Sequence, residues 1–371
     1  MAAMLRLGKL TIDAPFYQAG LAGYSDAAMR MVARRHGCPY CITEAMLDHF
    51  LLNGGRGLAA AELSPDDHPI CGQLMGSHAE TIAAAAKVLV GLGYDTVDVN
   101  LACPVKKIKK KARGGHLLSV PDEAIGILKA VKDTVGDDVP LTVKLRRSYD
   151  ETPEMVAAFH QIFTAVMELG YAGATVHCRT VQQKYIGPGK WDALREIALE
   201  YGLFGGPGDS GGSGFVLGGS GDIWRAEDVF RMLEHTGVHW VSVARGCIGN
   251  PWLFTQACAL MAGEQGGAVL PPTIAQQRDV LLEHFELSTA LHGEHAASRM
   301  MRKFGIKFAR HHPEHDAIKS AFIAVRSLND WRAVLARHYA EDGPGVAVQE
   351  SLPAEAVGAE AGGFEESCGV R

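Results

Sequence analysis

Short apolar segments alternate with helical segments over residues 16–245, and this alternation restricts the fold more than any other feature of the chain. The apolar segments predict eight strands, at 16–22, 41–46, 70–75, 96–102, 141–146, 174–179, 215–219 and 240–245. Helical periodicity lies between them, for example at 79–92, 121–135, 153–169 and 225–236. Apolar strands joined by helices are typical of parallel sheets that are buried on both faces. The pattern predicts an α/β protein with a (β/α)8 TIM barrel over residues 1–262, and a doubly wound open sheet is the alternative.

The alternation of strand and helix patterns stops after the eighth predicted strand. Residues 263–273 carry glycine and proline and predict a linker, whereas 274–340 show helical periodicity alone and predict a C-terminal all-α helical bundle domain. Residues 341–371 are acidic, rich in glycine and alanine and without a period, so we expect disorder there. The glycine-rich stretch 205–214 is too flexible for regular structure and predicts a surface loop.

Composition narrows the class of protein. A net charge of −6 argues against a chain that coats nucleic acid over its whole surface, so contact with a polyanion must come from local patches. Eight cysteines without a secretory segment are typical of a reduced, cytoplasmic protein, and no apolar run reaches the ~20 residues of a membrane span. Cys38 and Cys41 have CxxC spacing, but no second pair follows at zinc-site distance, and we expect no metal site.

One cysteine lies where chemistry is expected in a barrel. Strand 96–102 runs into Cys103, and Pro104 cannot continue a ladder, so Cys103 belongs to the loop at the carboxyl end of the strand. Six of the eight residues in 106–113 are basic. Lysines favour bound phosphate and lower a cysteine pKa, which suggests an acid or nucleophile acting on an anionic substrate. A half-buried cysteine beside a solvated lysine run is the alternative.

Two glycine turns predict a phosphate site. The loops 218–222 and 244–251 follow strands seven and eight, where barrels commonly bind phosphate through backbone N–H groups. Glycine allows close approach to an anion, and Arg245 can neutralise it. We therefore predict a phosphorylated cofactor or substrate.

Polar residues at other strand ends extend this site. Gln73, Lys144 and His177 would suit the polar edge of a flat heteroaromatic cofactor. The alternatives are an ion pair of Lys144 with Glu44 or Asp98, and a satisfied core histidine at His177.

From about residue 14 to about residue 313 the chain resembles the tRNA-dihydrouridine synthase family, in particular its bacterial branch. The most specific marker is the run from Asn100 to Lys107, which is similar to the family's Asn-x-x-Cys-Pro signature. Supporting matches lie at 22–26, 43–46, 73–76, 143–146, 176–180, 221–223 and 245–252. Two positions depart from the pattern, because Ala19-Gly20-Leu21 stands for the usual Ala-Pro-Met and Ala102 for the glycine before the cysteine.

The resemblance implies an FMN enzyme that reduces the C5–C6 double bond of uridine in tRNA with electrons from NADPH or NADH. Cys103 would be the general acid, and Asn100 would help to position the uracil. The implied cofactor-binding residues are Gly20, Leu21, Ala22, Gln73, Lys144, His177, Ser220, Gly221, Asp222, Ala244 and Arg245. The implied tRNA contacts are Lys106, Lys107, Lys109, Lys110, Arg146, Arg179, Tyr185, Arg302 and Lys303. The helical domain would grip the tRNA body, and we expect a monomer with no membrane partner.

Two other functions remain open at this point. A small-molecule FMN ene-reductase or dihydroorotate-type dehydrogenase would share the phosphate loops but would not require the basic run 106–113 or a basic helical domain. A non-catalytic RNA-binding barrel would keep the fold without the flavin, a reading motivated by Gly20 and Leu21.

Overall fold

A closed barrel of eight parallel strands forms the body of the protein. The computed structural model describes residues 4–105, 112–206, 214–263 and 270–348. The barrel strands are β3 (Phe16–Gln18), β4 (Cys41–Ile42), β6 (Ile70–Met75), β7 (Thr96–Asn100), β8 (Leu141–Arg146), β9 (Gly173–His177), β10 (Val216–Ser220) and β11 (Trp240–Val243). Strand β4 pairs with β3 on one side and with β6 on the other, which closes the ring. The predicted TIM barrel is confirmed, and the open sheet is wrong.

Helices follow the strands as the periodicity predicts. Those of the barrel are α1 (Ala27–Arg35), α2 (Asp48–Leu52), α3 (Arg56–Ala59), α4 (Ala79–Gly91), α5 (Pro121–Val135), α6 (Pro153–Glu168), α7 (Trp191–Glu200), α8 (Ala226–Thr236) and α9 (Trp252–Met261). Proline begins α5 and α6 at a position where its missing N–H has no partner to lose. No helix in the described ranges is both long and apolar enough to span a membrane.

An N-terminal hairpin that the sequence analysis missed closes the lower end of the barrel. Strands β1 (Leu5–Leu7) and β2 (Leu10–Ile12) pair antiparallel and pack against a plug of buried aromatic rings. In this plug Tyr17 lies 4.4 Å from Trp240 and 5.7 Å from Tyr40, between ring centroids. The barrel is thus filled at its lower end, and any cavity must open at the carboxyl ends of the strands.

The C-terminal residues form the predicted helical domain. Its helices are α10 (Ile274–His292), α11 (Glu294–Phe308), α12 (His315–Ala324) and α13 (Leu328–His338). Arg310 fixes this domain to the loop after β11, because its Nη2 donates to the carbonyls of Ile248 (2.6 Å) and Gly246 (3.2 Å).

The predicted domain limits can be compared with the structure only in part. The predicted start of the disordered tail, residue 341, is too early, because the next residues are bound to the helical domain. The Gly343 carbonyl accepts from the Ile274 N–H, and the Val346 N–H donates to the His311 carbonyl. Residues 264–269 of the linker, 207–213 of the glycine-rich stretch and 349–371 of the tail lie outside the described residues. Cys38 and Cys41 are buried at the junction between α1 and β4.

Gly20 lies where the chain leaves β3 and passes close to the second barrel strand. A Cβ built on Gly20 would lie 2.1 Å from the carbonyl oxygen of Thr43, a backbone atom that cannot rotate away. The departure from the family's Ala-Pro-Met pattern therefore has a steric role in this chain, because only glycine fits this crossing.

We expect Gly20→Ala to lower the free energy of unfolding by about 1–3 kcal/mol through overpacking. The matched control is Gly126→Ala, inside α5 with open space around its Cα, which should raise stability by up to about 1 kcal/mol. Denaturant unfolding of both variants measures the difference. Equal effects at the two positions would show that Gly20 is not sterically restricted.

Candidate active site

The upper end of the barrel holds a cavity of about 290 Å³ that receives residues from all eight strands or the loops after them. Every residue predicted to bind the cofactor lines it, as do Asn100 and Cys103. The predicted residues are far apart in sequence, and parallel strands bring their carboxyl ends to one edge. The structure therefore brings together the set that the sequence analysis assembled.

Asn100 holds the loop that carries Cys103. Its side-chain Oδ1 accepts from the backbone N–H groups of Ala102 (3.0 Å) and Cys103 (3.2 Å), which turns the chain sharply after β7. The Cys103 carbonyl accepts from Gly115 at 3.0 Å, so both sides of the residue are anchored. The Cys103 side chain is half-buried beside Met75 and Val105. These contacts fix the thiol at the cavity wall.

The thiol of Cys103 differs from the sequence prediction in its acidity. Burial raises its pKa above the ordinary value, and the Val105 N–H and the charge of Arg146 offset this only partly. The lysines that were predicted to lower it, residues 106–111, lie outside the described residues. A thiol that keeps its proton suits a general acid better than a thiolate nucleophile.

Lys144 reaches the cavity without a partner. Its Nζ is buried and makes no hydrogen bond to any described residue. The ion-pair alternative holds only in part: the charges of Lys144 and Asp98 attract each other, but no hydrogen bond joins them, and the Asp98 carboxylate accepts from Gln73 and Thr142 instead. Glu44 accepts from the Gly23 N–H. Burial lowers the pKa of Lys144 to about 7, with Arg146 acting in the same direction. A buried ammonium in this position stabilises an anionic group bound in the cavity.

His177 enters the same cavity as a neutral ring. Burial, together with the nearby cations Arg146 and Lys144, lowers its pKa well below the ordinary value. Its Nδ1 accepts from the Arg179 N–H at 3.1 Å, which assigns the ring proton to Nε2. His177 lines the cavity, so it is more than a satisfied core histidine, and its Nε2–H is a donor.

The two glycine turns pack together at one side of the cavity. A Cβ on Gly246 would lie 2.2 Å from the Ile223 carbonyl, so the loops after β10 and β11 touch through their backbones. The Arg245 guanidinium lies between the rings of Tyr185 (5.1 Å) and Trp224 (4.9 Å). Both loops can thus present backbone groups and one cation to an anion.

The side chain of Asp222 joins the loops after β9 and β10, a role that its sequence position did not reveal. Its carboxylate accepts from Arg179 Nη2 (2.7 Å) and from the Gly189 N–H (2.6 Å). Because the carboxylate is turned to these donors, only the backbone of Asp222 can serve a phosphate. Its φ of +57° is the left-handed conformation that makes this turn.

The residues predicted to contact tRNA lie in different parts of the fold. Arg146 and Arg179 are each 2% exposed: Arg146 donates to the carbonyls of Ala102, Thr180 and Lys184, and Arg179 donates to Gly187 and Asp222. The structure thus gives both arginines an internal task, and their RNA contacts stay predictions. Tyr185 lines the cavity, with its ring below both Arg146 and Arg245.

The other predicted RNA contacts do not line the cavity or lie outside the described residues. On α11, Arg302 is exposed, whereas Lys303 is half-buried with its Nζ 4.6 Å from the Tyr24 ring centroid. Lys106, Lys107, Lys109 and Lys110 lie outside the described residues.

Sequence reasoning missed Glu44 and Trp224 as cavity residues and weighed Asp98 only as an ion-pair partner. Glu44 lies in the break between β4 and β5 (Met46–Leu47), and Trp224 lies in the loop after β10. Their location at strand ends was the one available signal, since neither belongs to a phosphate turn.

Comparison with known proteins identifies a matching family and similar proteins. A family model described as dihydrouridine synthase matches residues 17–340. A probable tRNA-dihydrouridine synthase of Mycobacterium tuberculosis is 28% identical over 348 residues, covering 90% of this chain and 84% of the relative. A probable tRNA-dihydrouridine synthase of Treponema pallidum is 30% identical over 313 residues, covering 82% and 87%. A tRNA-dihydrouridine synthase B of Xanthomonas campestris is 28% identical, covering 84% and 88%.

Solved structures extend the likeness in fold alone. A histamine dehydrogenase from Rhizobium sp. 4-9 superposes with a TM-score of 0.54 at 14% identity over 77% of this chain, and a 2-naphthoyl-CoA reductase with 0.51 at 14% over 69%. This chain spans about half the length of each, 50% and 52%.

We expect Lys144→Met to stabilise the flavin-free protein, and the gain should shrink as the pH rises. The native pKa of about 7 lies below the ordinary value of roughly 10.4, so between these pH values the unfolded chain binds a proton that the native chain lacks. Wild-type stability therefore rises with pH through this window, and the cost of the buried charge is complete only below it.

Urea unfolding at pH 6.5 and at pH 9.5 measures this difference. Lys129→Met, on the exposed face of α5, is the control for removing one positive charge. A stability gap between Lys144→Met and wild type that does not change with pH would contradict the assignment of Lys144 as a desolvated cation.

Proposed function

Because the chain belongs to the dihydrouridine synthase family, it is an oxidoreductase that forms dihydrouridine in tRNA, and we propose that it does so with FMN bound in the barrel cavity. We further propose NADPH as the reductant, with NADH as the alternative, and action in the cytoplasm. The observation that carries the proposal is one cavity that combines a protonated thiol at Cys103 with the buried amino group of Lys144, which makes no hydrogen bond among the described residues.

The residues present fit a flavin. Lys144 supplies positive charge and N–H donors that make no hydrogen bond within the described chain, which suits the electron-rich edge of the ring system. Gln73 and the neutral Nε2–H of His177 supply hydrogen-bonding groups on neighbouring sides. The turns Ser220 to Asp222 and Ala244 to Arg245 are the proposed phosphate site. When bound, FMN supplies the hydride that reduces C6 of the uracil.

Cys103 is proposed to protonate C5 of the uracil. Burial keeps the proton on Sγ until the base carbon accepts it, and Asn100 fixes the backbone on which the thiol stands. Sγ would give its proton to C5 as the C5–C6 double bond is reduced, and the thiolate that remains would lie near the charge of Arg146.

The substrate base must leave its stack to reach this depth. A uracil in folded tRNA can meet a flavin only when it is unstacked and inserted through the open end of the barrel. Tyr185 at the cavity wall and the exposed Arg302 on α11 are proposed contacts of the RNA, together with Lys106, Lys107, Lys109 and Lys110.

We expect Cys103→Ala to bind FMN as the wild type does and to form dihydrouridine 10²–10⁴-fold more slowly, the usual contribution of a general acid. Dihydrouridine is measured in fully unmodified tRNA with NADPH, and FMN binding by its visible absorption. Cys258→Ala is the matched control, because Cys258 is a second half-buried cysteine, on α9 and away from the cavity. A Cys103→Ala enzyme with wild-type rates would exclude Cys103 as the acid.

We expect the double variant Lys109→Gln and Lys110→Gln to weaken tRNA binding and to reduce the slope of log K against log salt by about 0.7–0.9 for each lost phosphate contact. The control carries Lys87→Gln and Lys129→Gln, which remove the same charge from exposed sites on α4 and α5. Equal slopes for the two double variants would show that Lys109 and Lys110 make no phosphate contacts, as the alternative of a solvated lysine run predicts.

A further inference from the structure

Asp98 is a buried carboxylate below the cavity that neither the cofactor site nor the acid requires directly. It is 2% exposed and projects from the middle of β7. It makes no direct ion pair among the described residues, although its charge and that of Lys144 attract each other. Its Oδ2 accepts from Gln73 Nε2 at 2.9 Å, and its Oδ1 accepts from Thr142 Oγ1 at 2.7 Å. Both partners stand directly beside it in register, on β6 and β8. Burying a carboxylate is costly, so its retention here calls for a function.

The hydrogen bonds that begin at Asp98 have a fixed direction. An ionised carboxylate can only accept, so the Gln73 amide must turn its Nε2 to Asp98 and its Oε1 the other way. The Gln73 Oε1 accepts from Asn100 Nδ2 at 2.7 Å. The Asn100 amide is thereby oriented as well, with its Oδ1 toward the loop. That Oδ1 is the atom that accepts from the N–H groups of Ala102 and Cys103.

We propose that Asp98 is a positioning residue that orients the amides of Gln73 and Asn100 and so holds the Cys103 loop in place. An amide can be turned by 180° with little change in shape, so the orientation of Gln73 depends on its partners. The Asn100 amide is oriented by the two loop N–H groups and by Gln73 together. With Asn100 reversed, its Nδ2 would face two backbone donors, and the loop would lose both hydrogen bonds. Asp98 prevents this reversal from one layer below. The inference rests on the proposed role of Cys103, and it adds the residue that sets the geometry of that acid.

Two substitutions of Asp98 separate its role as an acceptor from its volume. Asp98→Leu keeps a similar size but offers Gln73 no acceptor. Asp98→Asn keeps one, because its Oδ1 can face Gln73 while its Nδ2 donates to the Thr142 hydroxyl, which accepts as well as donates. Thr142→Val removes the other neighbour of Asp98 but leaves the direction of the Gln73 amide unchanged. Should Asp98→Leu fail to fold, Asp98→Ser is a second variant, since its short hydroxyl does not reach Gln73.

The readout is the rate at which iodoacetamide alkylates Cys103 in flavin-free protein, followed by mass spectrometry of its peptide. Asp98→Leu should raise this rate about fivefold to tenfold, the change expected when one or two net hydrogen bonds are lost. Asp98→Asn and Thr142→Val should stay within twofold of wild type. Cys258 in the same samples reports on the rest of the fold and should not change.

Two results would overturn the proposal. The first is a wild-type alkylation rate at Cys103 in Asp98→Leu or Asp98→Ser, and the second is a rate in Asp98→Asn as high as in Asp98→Leu. The measurement needs neither flavin nor tRNA, so it stands even if the enzyme proves to use another acid. Failure of Cys103→Ala to reduce dihydrouridine formation would instead contradict the proposed function and leave the loop geometry intact.

Discussion

The side chains that point into a closed barrel must either fill it or leave a cavity, and in this protein their sizes change along the barrel axis. The aromatic rings of Tyr17, Tyr40 and Trp240 fill the lower end and rest on the N-terminal hairpin. Above them lies a layer of polar groups that bind one another, including the bond between the Tyr17 hydroxyl and Thr175 at 2.8 Å. The upper layer does not close over the axis. The cavity thus follows from the order of residue sizes along each strand, and ligand contacts are confined to one end.

Burial then fixes the protonation of the groups at that end, in each case against the charged form. It lowers the pKa of Lys144 to about 7, holds His177 neutral and keeps the proton on Cys103. The cost falls on the protein without a ligand, in which the charge of Asp98 offsets only part of the desolvation of Lys144. Binding of the proposed flavin would recover part of that cost, so we expect lower stability and higher affinity than with an apolar residue in place of Lys144. The same burial favours the neutral thiol of Cys103, as the proposed general acid requires.

The barrel strands were predictable because each is a nearly continuous apolar segment, and their order along the chain fixed which strand ends would meet. The hairpin β1–β2 was missed because its three-residue strands carry too little alternation to be recognised. The acidity of Cys103 was predicted with the wrong sign, since neighbouring lysines are visible in a sequence and desolvation is not. The internal bonds of Arg146 and the close approach at Gly20 join segments far apart along the chain, so no local pattern signals them.

The attachment of the helical domain bears on how a single base could be selected. Arg310 binds the carbonyls of the loop after β11, which is also the loop that carries Arg245. Lys303 lies near Glu44 at the cavity wall, and the charges of Glu44 and Asp26 oppose the lowering of its pKa by burial. His292 pairs with Asp26 at 2.9 Å, at the start of α1. The domain is therefore tied to the rim on both sides, through the loops after the first, second and eighth barrel strands. A tRNA that contacts Arg302 on this domain, as proposed, would therefore meet the cavity at a set distance and angle, and that geometry would limit which uridine can enter.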